Sequence, residues 1–394
     1  MKRRQLLKGI AALPIAIACG RLYAVPRAGS KLLVVFLRGG YDAASFLVPV
    51  SSQFYYDVRP GIAISRPGDD PNAAIPLDAH WGLHPALRDT ILPLYAKGQA
   101  AFVPFCGTDD LTRSHFETQD SIELGQSVEG GRDYQSGFLN RLVSELSGVQ
   151  PIAFTDQLPI VLRGDRDVPN MALRSLTKPG VDARQSAIIA SMYRHTSLGT
   201  HVDEGFDVRN QVLQAMAEEM DAASRNAITA KGFELEAQRI GKLMADRFDV
   251  GFVDIGGWDT HVGQGAATGY LAGRFAELGR GLAAIAATMG PRWRDTVVVV
   301  VSEFGRTFRE NGNHGTDHGH GSVYWVLGGS LRGGRVDGDQ IVLTQPALFQ
   351  NRDYPILNEY RAVLGGLFAR MYGLGDRQIE KIFPGARQKT LDLI

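Results

Sequence analysis

Two apolar runs restrict this 394-residue chain more than any other feature. "KLLVVFL" at 31–37 and "TVVVVVS" at 296–302 do not alternate between apolar and polar residues. A strand with one wet face would alternate, because its side chains point to opposite sides with a period of two. Both runs therefore read as central strands of a parallel sheet covered on both faces. "GQAAFVPFCGTDD" (98–110), "DVGFVDIGGWDTH" (249–261) and "SVYWVLGG" (322–329) read as further strands, each closed by glycine or polar residues. Between them lie helical patterns. Leu271, Phe275, Leu278, Leu282, Ile285 and Met289 mark one apolar helix face. Residues 208–247 read as one or two long helices interrupted near Gly232. Strands alternating with helices predict an α/β fold, a doubly wound, mostly parallel sheet flanked by helices. We expect one domain over 31–394, with excursions from the sheet at 51–80 and 163–207.

The first thirty residues read as a targeting segment. A basic start precedes an apolar run from Gly9 to Ala18, too short to span a bilayer. Arg3-Arg4 followed by "QLLK" resembles a twin-arginine export signal, and an ordinary Sec leader is the other reading. The expected location is the periplasm or beyond it, with no transmembrane span in the mature chain. Lipid attachment at Cys19 would want a leucine three residues earlier, where Ala16 stands. Cys106, after an apolar run, reads as a small buried residue. One or two cysteines give neither a disulfide framework nor a haem or iron–sulfur spacing, which argues against an electron-transfer protein.

Lys plus Arg and Asp plus Glu both count 42, so nothing in the charge balance points to nucleic acid. In an open α/β sheet, ligands bind at the carboxyl ends of the strands. The polar residues there are Arg38 and Asp42, then Thr112, Arg113, Ser114 and His115. Asp254, Asp259 and His261 follow, then Ser302, Glu303 and Arg306. The loop "NHGTDHGHGS" (313–322) adds His314, Asp317, His318 and His320. Carboxylates and imidazoles in that mix suit a divalent metal, zinc first, with manganese or iron as alternatives. Each residue alone has a blander reading as a turn, a helix cap or an ion pair. Together, at buried strand ends, they are costly unless they bind something.

"FLRGGYDA", "HPAL", "RSHFETQD", "GGWDTH", "SEFGRT" and "TDHGHG", in this order, resemble the exported bacterial proteins classed as domain of unknown function fifteen-oh-one. That family resembles, more distantly, the alkaline phosphatase and sulfatase superfamily. The resemblance implies an alkaline-phosphatase-like α/β sheet with one or two metal ions at its carboxyl edge. It implies Asp42 as the first metal aspartate, Asp259 and His261 as later ligands, and His320 as the final histidine. It places the nucleophile at a helix opening around "TRSHF" and closing at Gly125. Ser114 is the candidate there, with Thr112 and His115 as rivals. The chain departs from the superfamily at Ser302-Glu303, where Asp-His or Asp-Asn is usual. Glu303 can ligate metal, and Asp317 and His318 can supply what is missing. There is no Cys-x-Pro-x-Arg signature.

The resemblance thus implies a metal-dependent hydrolase of phosphate or sulfate esters, its substrate a small anionic ester. Ser114 would attack, and Arg113, Arg306 or Arg38 would hold the remaining oxygens. The alternative is a non-catalytic exported binding or assembly protein that keeps the hydrolase fold and engages a second exported protein.

Overall fold

The computed structural model describes residues 29–173, 183–208 and 232–394. The arginine pair Arg3-Arg4, Cys19 and nearly all of the expected leader 1–30 lie outside the described residues.

Eleven strands are described. They are β1 (Lys31–Leu37), β2 (Leu47–Val48), β3 (Ile75–Pro76), β4 (Gly82–Leu83), β5 (Ala100–Gly107), β6 (Pro151–Ala153), β7 (Val250–Ile255), β8 (Thr296–Ser302), β9 (Ser322–Gly328), β10 (Arg335–Val336) and β11 (Asn358–Glu359). The main sheet runs β10-β5-β9-β8-β1-β7-β6, with β11 also on β5. β1 sits between β8 and β7 and is parallel to both. Every residue of β1 and β8 is buried, as their unbroken apolar sequence requires.

Alternate residues of β1 enter two separate cores. Leu33, Val35 and Leu37 pack with Phe275, Leu278 and Leu282 of the helix Tyr270–Met289 and with Ile240 of the helix Phe233–Asp246. Leu32, Val34 and Phe36 pack with Leu139 and Leu142 of the helix Phe138–Ser144 and with Phe368 of the helix Tyr360–Tyr372. The six-residue apolar stripe expected on the helix Tyr270–Met289 is buried in full.

The sheet is mixed. β9 runs antiparallel to both β5 and β8. The reason is local: after β8 the chain stays at the same edge through residues 303–321 and returns directly, with no helical crossover. The expected excursion at 51–80 falls within a small antiparallel sheet, β2-β4-β3. The second excursion holds the helix Ala183–Tyr193, with residues 174–182 outside the described set. Of the long helical reading at 208–247, the described part is Phe233–Asp246, entered from Gly232 at a positive φ of 60°. Cys106 is buried. Among the described residues, no helix is long and apolar enough to cross a membrane.

Phe275, fully buried against Tyr41, Phe46 and Trp258, should be the helix's main anchor. Phe275→Ala is expected to lower unfolding free energy by about 3–5 kcal/mol, read from chemical denaturation. A loss under about 1 kcal/mol would contradict this packing.

Candidate metal centre

Strands β1, β7 and β8 end level: Leu37 is opposite both Ile255 and Ser302. Their following loops therefore start from one edge. The turn after β1 lies tight against the loop after β7. A Cβ on Gly39, at φ 124°, would come within 2.6 Å of the Asp259 nitrogen, so only glycine fits. The segment after β8 doubles back on itself. Gly305 N–H donates to the His320 carbonyl and Thr307 N–H to the Asp317 carbonyl, both at 2.9 Å, which sets Arg306 opposite His318. The loop after β7 is zipped to that segment as well, with Thr316 N–H donating to the Thr260 carbonyl and Gln264 N–H to the His314 carbonyl. His261 and His318 are thereby held side by side. The fourth contributor is the helix His115–Leu124, closed by Gly125 in the left-handed conformation.

Four side chains converge here. Asp259 Oδ1, His261 Nε2 and His318 Nε2 form a triangle with sides of 2.9, 3.1 and 3.3 Å. His115 Nε2 lies 3.4 Å from Asp259 Oδ2 and is buried without a hydrogen-bond partner. Ligand atoms of His115, Asp259 and His318 all lie within 4.8 Å of one another.

The ring orientations are assigned from their partners. His115 Nδ1 is 2.8 Å from Glu303 Oε1, His261 Nδ1 is 3.1 Å from Asp317 Oδ1, and His318 Nδ1 is 3.0 Å from the Arg113 carbonyl. All three acceptors are oxygens, so each Nδ1 carries the proton and each Nε2 offers a lone pair. Lone pairs at such range repel, so something positive belongs between them. One proton can serve a single edge of the triangle; a cation serves all three. Zinc bonds of about 2.0–2.1 Å in tetrahedral array separate donors by about 3.3 Å, close to the observed sides. Imidazoles that donate their other N–H to a carboxylate or carbonyl are the usual arrangement behind a metal. The residues present fit a divalent cation.

Charge at the centre is tightly managed. Glu303 is fully buried, and burial alone would raise its pKa. Hydrogen bonds from His115, Gln119 and the Gly39 N–H outweigh that and hold the carboxyl below its ordinary value. The same bond to Glu303 raises the His115 pKa against the opposing effect of burial. Gln119 stands one helical turn after His115, and both reach the same Glu303 oxygen. Asp259 is held low, chiefly because the bond from Arg306 Nη1 at 2.7 Å outweighs desolvation.

Of the residues expected from sequence, the structure brings Asp259, His261 and His318 together. His115, expected only as a rival nucleophile, joins them. Asp42 does not. It faces Arg59, which grips it through two bonds of 2.6 and 3.0 Å, with Ser45 and Gln264 on the same carboxylate. Breaking such a buried pair costs about 3–5 kcal/mol, so Asp42 is a structural anchor. Glu303 and Asp317 stand one step back, orienting His115 and His261. His320 is not among the converging ligand atoms; its ring packs against Phe349 at a tilt of 32°. Arg113 turns its guanidinium to Asp353 and Gln350 and contributes only its carbonyl to His318. Arg306 lies buried behind Asp259 and also donates to the Thr316 carbonyl. Ser114 opens the helix, and its hydroxyl makes no capping bond. Arg59, Gln119 and Gln264 carry no mark in the sequence that separates them from other polar residues.

Burial, with the nearby Arg113 charge adding to it, pushes the His320 pKa down to about 4. The unfolded chain, with histidine near 6.5, binds the extra proton first as pH falls. Stability from the neutral ring is whole above about 6.5 and drains away between there and about 4. His320→Leu should therefore lose about 2–3 kcal/mol less than the parent chain between pH 7 and pH 4.5, measured by denaturation at both. Equal losses would contradict this assignment.

Among solved structures, the chain is similar to a protein in the alkaline phosphatase superfamily from Vibrio parahaemolyticus, with 12% identity and a TM-score of 0.37. That match covers 79% of this chain and 63% of the other, so the chain spans less than two thirds of that protein. It is also similar to Ps i-CgsB, solved in complex with k-i-k-neocarrahexaose, with 10% identity, a TM-score of 0.38, and coverage of 89% and 74%. No curated protein sequence matches. The family model described as protein of unknown function (DUF1501) matches residues 30–383, and the chain belongs to that family.

Proposed function

We propose that this chain is a hydrolase of phosphate or sulfate esters that works with one divalent cation held by His115, Asp259, His261 and His318. The observation that carries the reading is the triangle of Asp259 Oδ1, His261 Nε2 and His318 Nε2, whose partners leave only lone pairs facing inward. Three imidazoles and a carboxylate suit zinc best, then iron or manganese. A divalent cation there would supply Lewis acidity to an ester oxygen. Glu303, Asp317 and the Arg113 carbonyl fix the rings. Arg306 keeps Asp259 ionised and aimed. The Ser114 hydroxyl, uncommitted at the head of its helix, is the nucleophile in this reading, with the helix start favouring the incoming anion. We extend the reading to export of the folded chain through its Arg3-Arg4 signal.

Metal analysis of the purified chain should find one zinc per molecule. His318→Ala should abolish tight binding, and Glu303→Gln should weaken it about 10–100-fold, as loss of an orienting partner does. Unchanged affinity in His318→Ala would sink the proposal. Ser114→Ala should keep the zinc and lose turnover of an aryl phosphate diester or aryl sulfate. For export, changing Arg3 and Arg4 together to Lys should leave the chain in the cytoplasm of an expressing bacterium. Continued export would refute the twin-arginine assignment.

A further inference from the structure

The guanidinium groups around the centre are all committed. Arg306 binds Asp259. Arg113 and Arg352 both bind Asp353. Arg38 donates from all three nitrogens, to Asp254 at 2.6 Å, Gln119 at 2.7 Å and Glu123 at 2.8 Å. Arg306, Arg113 and Arg352 bond directly to the cation-binding residues, and Arg38 reaches Glu303 through Gln119. The carboxylates in the same set are Asp259, Asp317, Glu303, Asp353, Asp254 and Glu123. They exceed the guanidinium groups by two, and a divalent cation would bring the whole to neutrality.

A phosphate monoester is doubly charged above its second ionisation and presents three equivalent outer oxygens. Binding it well calls for guanidinium or ammonium groups beyond a single cation, because each outer oxygen needs a partner and the second charge needs compensation. Among the described residues, the arginines at this centre are all bonded to carboxylates already. A singly charged ester asks for much less.

We propose that the centre selects singly charged tetrahedral esters, phosphate diesters or sulfate monoesters, over doubly charged phosphate monoesters, because every neighbouring arginine is already bonded to a carboxylate. The proposal rests on the cation reading above. It makes Asp254 a specificity-determining residue. Asp254 is partly exposed and occupies one edge of Arg38, whose side chain reaches Gln119 beside Glu303.

The test is calorimetric titration of the zinc-loaded chain at pH 8, after zinc content is measured independently. The probes are dimethyl phosphate and methyl sulfate, each singly charged, and methyl phosphate, doubly charged. At least one singly charged probe should bind as tightly as methyl phosphate or tighter. Of the two, the tighter binder indicates whether a diester or a sulfate is the natural class. Asp254→Asn should raise affinity for methyl phosphate about threefold or more while leaving the singly charged probes within about twofold, as expected for one added local charge. Methyl phosphate binding tenfold tighter than both others in the parent chain would overturn the proposal, as would absence of binding by all three at full zinc occupancy. Failure to load zinc would instead remove the underlying cation reading. Turnover of bis(4-nitrophenyl) phosphate, 4-nitrophenyl sulfate and 4-nitrophenyl phosphate should follow the same order.

Discussion

The level ending of β1, β7 and β8 is the constraint on which the rest depends. Parallel neighbours in register deliver Arg38, Gly256 and Glu303 to one rim, and helices on both faces leave that rim as the place where polar groups reach water. A one-residue slip of β8 along β1 would turn its valines to the opposite faces and take Glu303 away from the Gly39 N–H. The two cores thus fix the polar centre as firmly as any contact within it.

Polar order then propagates outward from the rim. Glu303 fixes His115 and Gln119, Gln119 meets Arg38, and Arg38 gathers Asp254 and Glu123. On the other side Arg306 joins Asp259 to Thr316. Gln264 then ties Thr316 and Thr260 to the Asp42–Arg59 pair. A half-satisfied network of this kind would be worse than an apolar one. Here nearly every member has a partner. The buried Nε2 of His115, which has none, points to the place where a cation fits.

Much of this was legible in the sequence. Unbroken valine runs marked the central strands, because only burial on both faces permits them. Asp259 and His261 were legible because they follow a strand end, and His318 because it stands in a histidine-rich loop between two strands. Other features were not. A carboxylate after β1 looks the same whether it faces a cation or a guanidinium, and nothing in "YYDVRP" announces that Arg59 will turn inward to meet Asp42. His115 read as a rival to Ser114 because its true partner, Glu303, lies 188 residues away. His320 and His318 differ by only two positions, and their separate fates depend on Phe349 and on the Arg113 carbonyl. Pairings made across the fold leave no periodic trace.

The reversed strand β9 has one more consequence. Because residues 303–321 leave and re-enter through strands hydrogen-bonded to each other, as Val300 is to Trp325, the sheet itself clamps both feet of that span. Its middle, around 309–315, is held as well: Glu310 N–H donates to the Val58 carbonyl, and the Asn313 and His314 carbonyls accept from Gly263 and Gln264. A change of length there would pull on the loop that carries His261, so the span works as a gauge of fixed size set between two clamped strands.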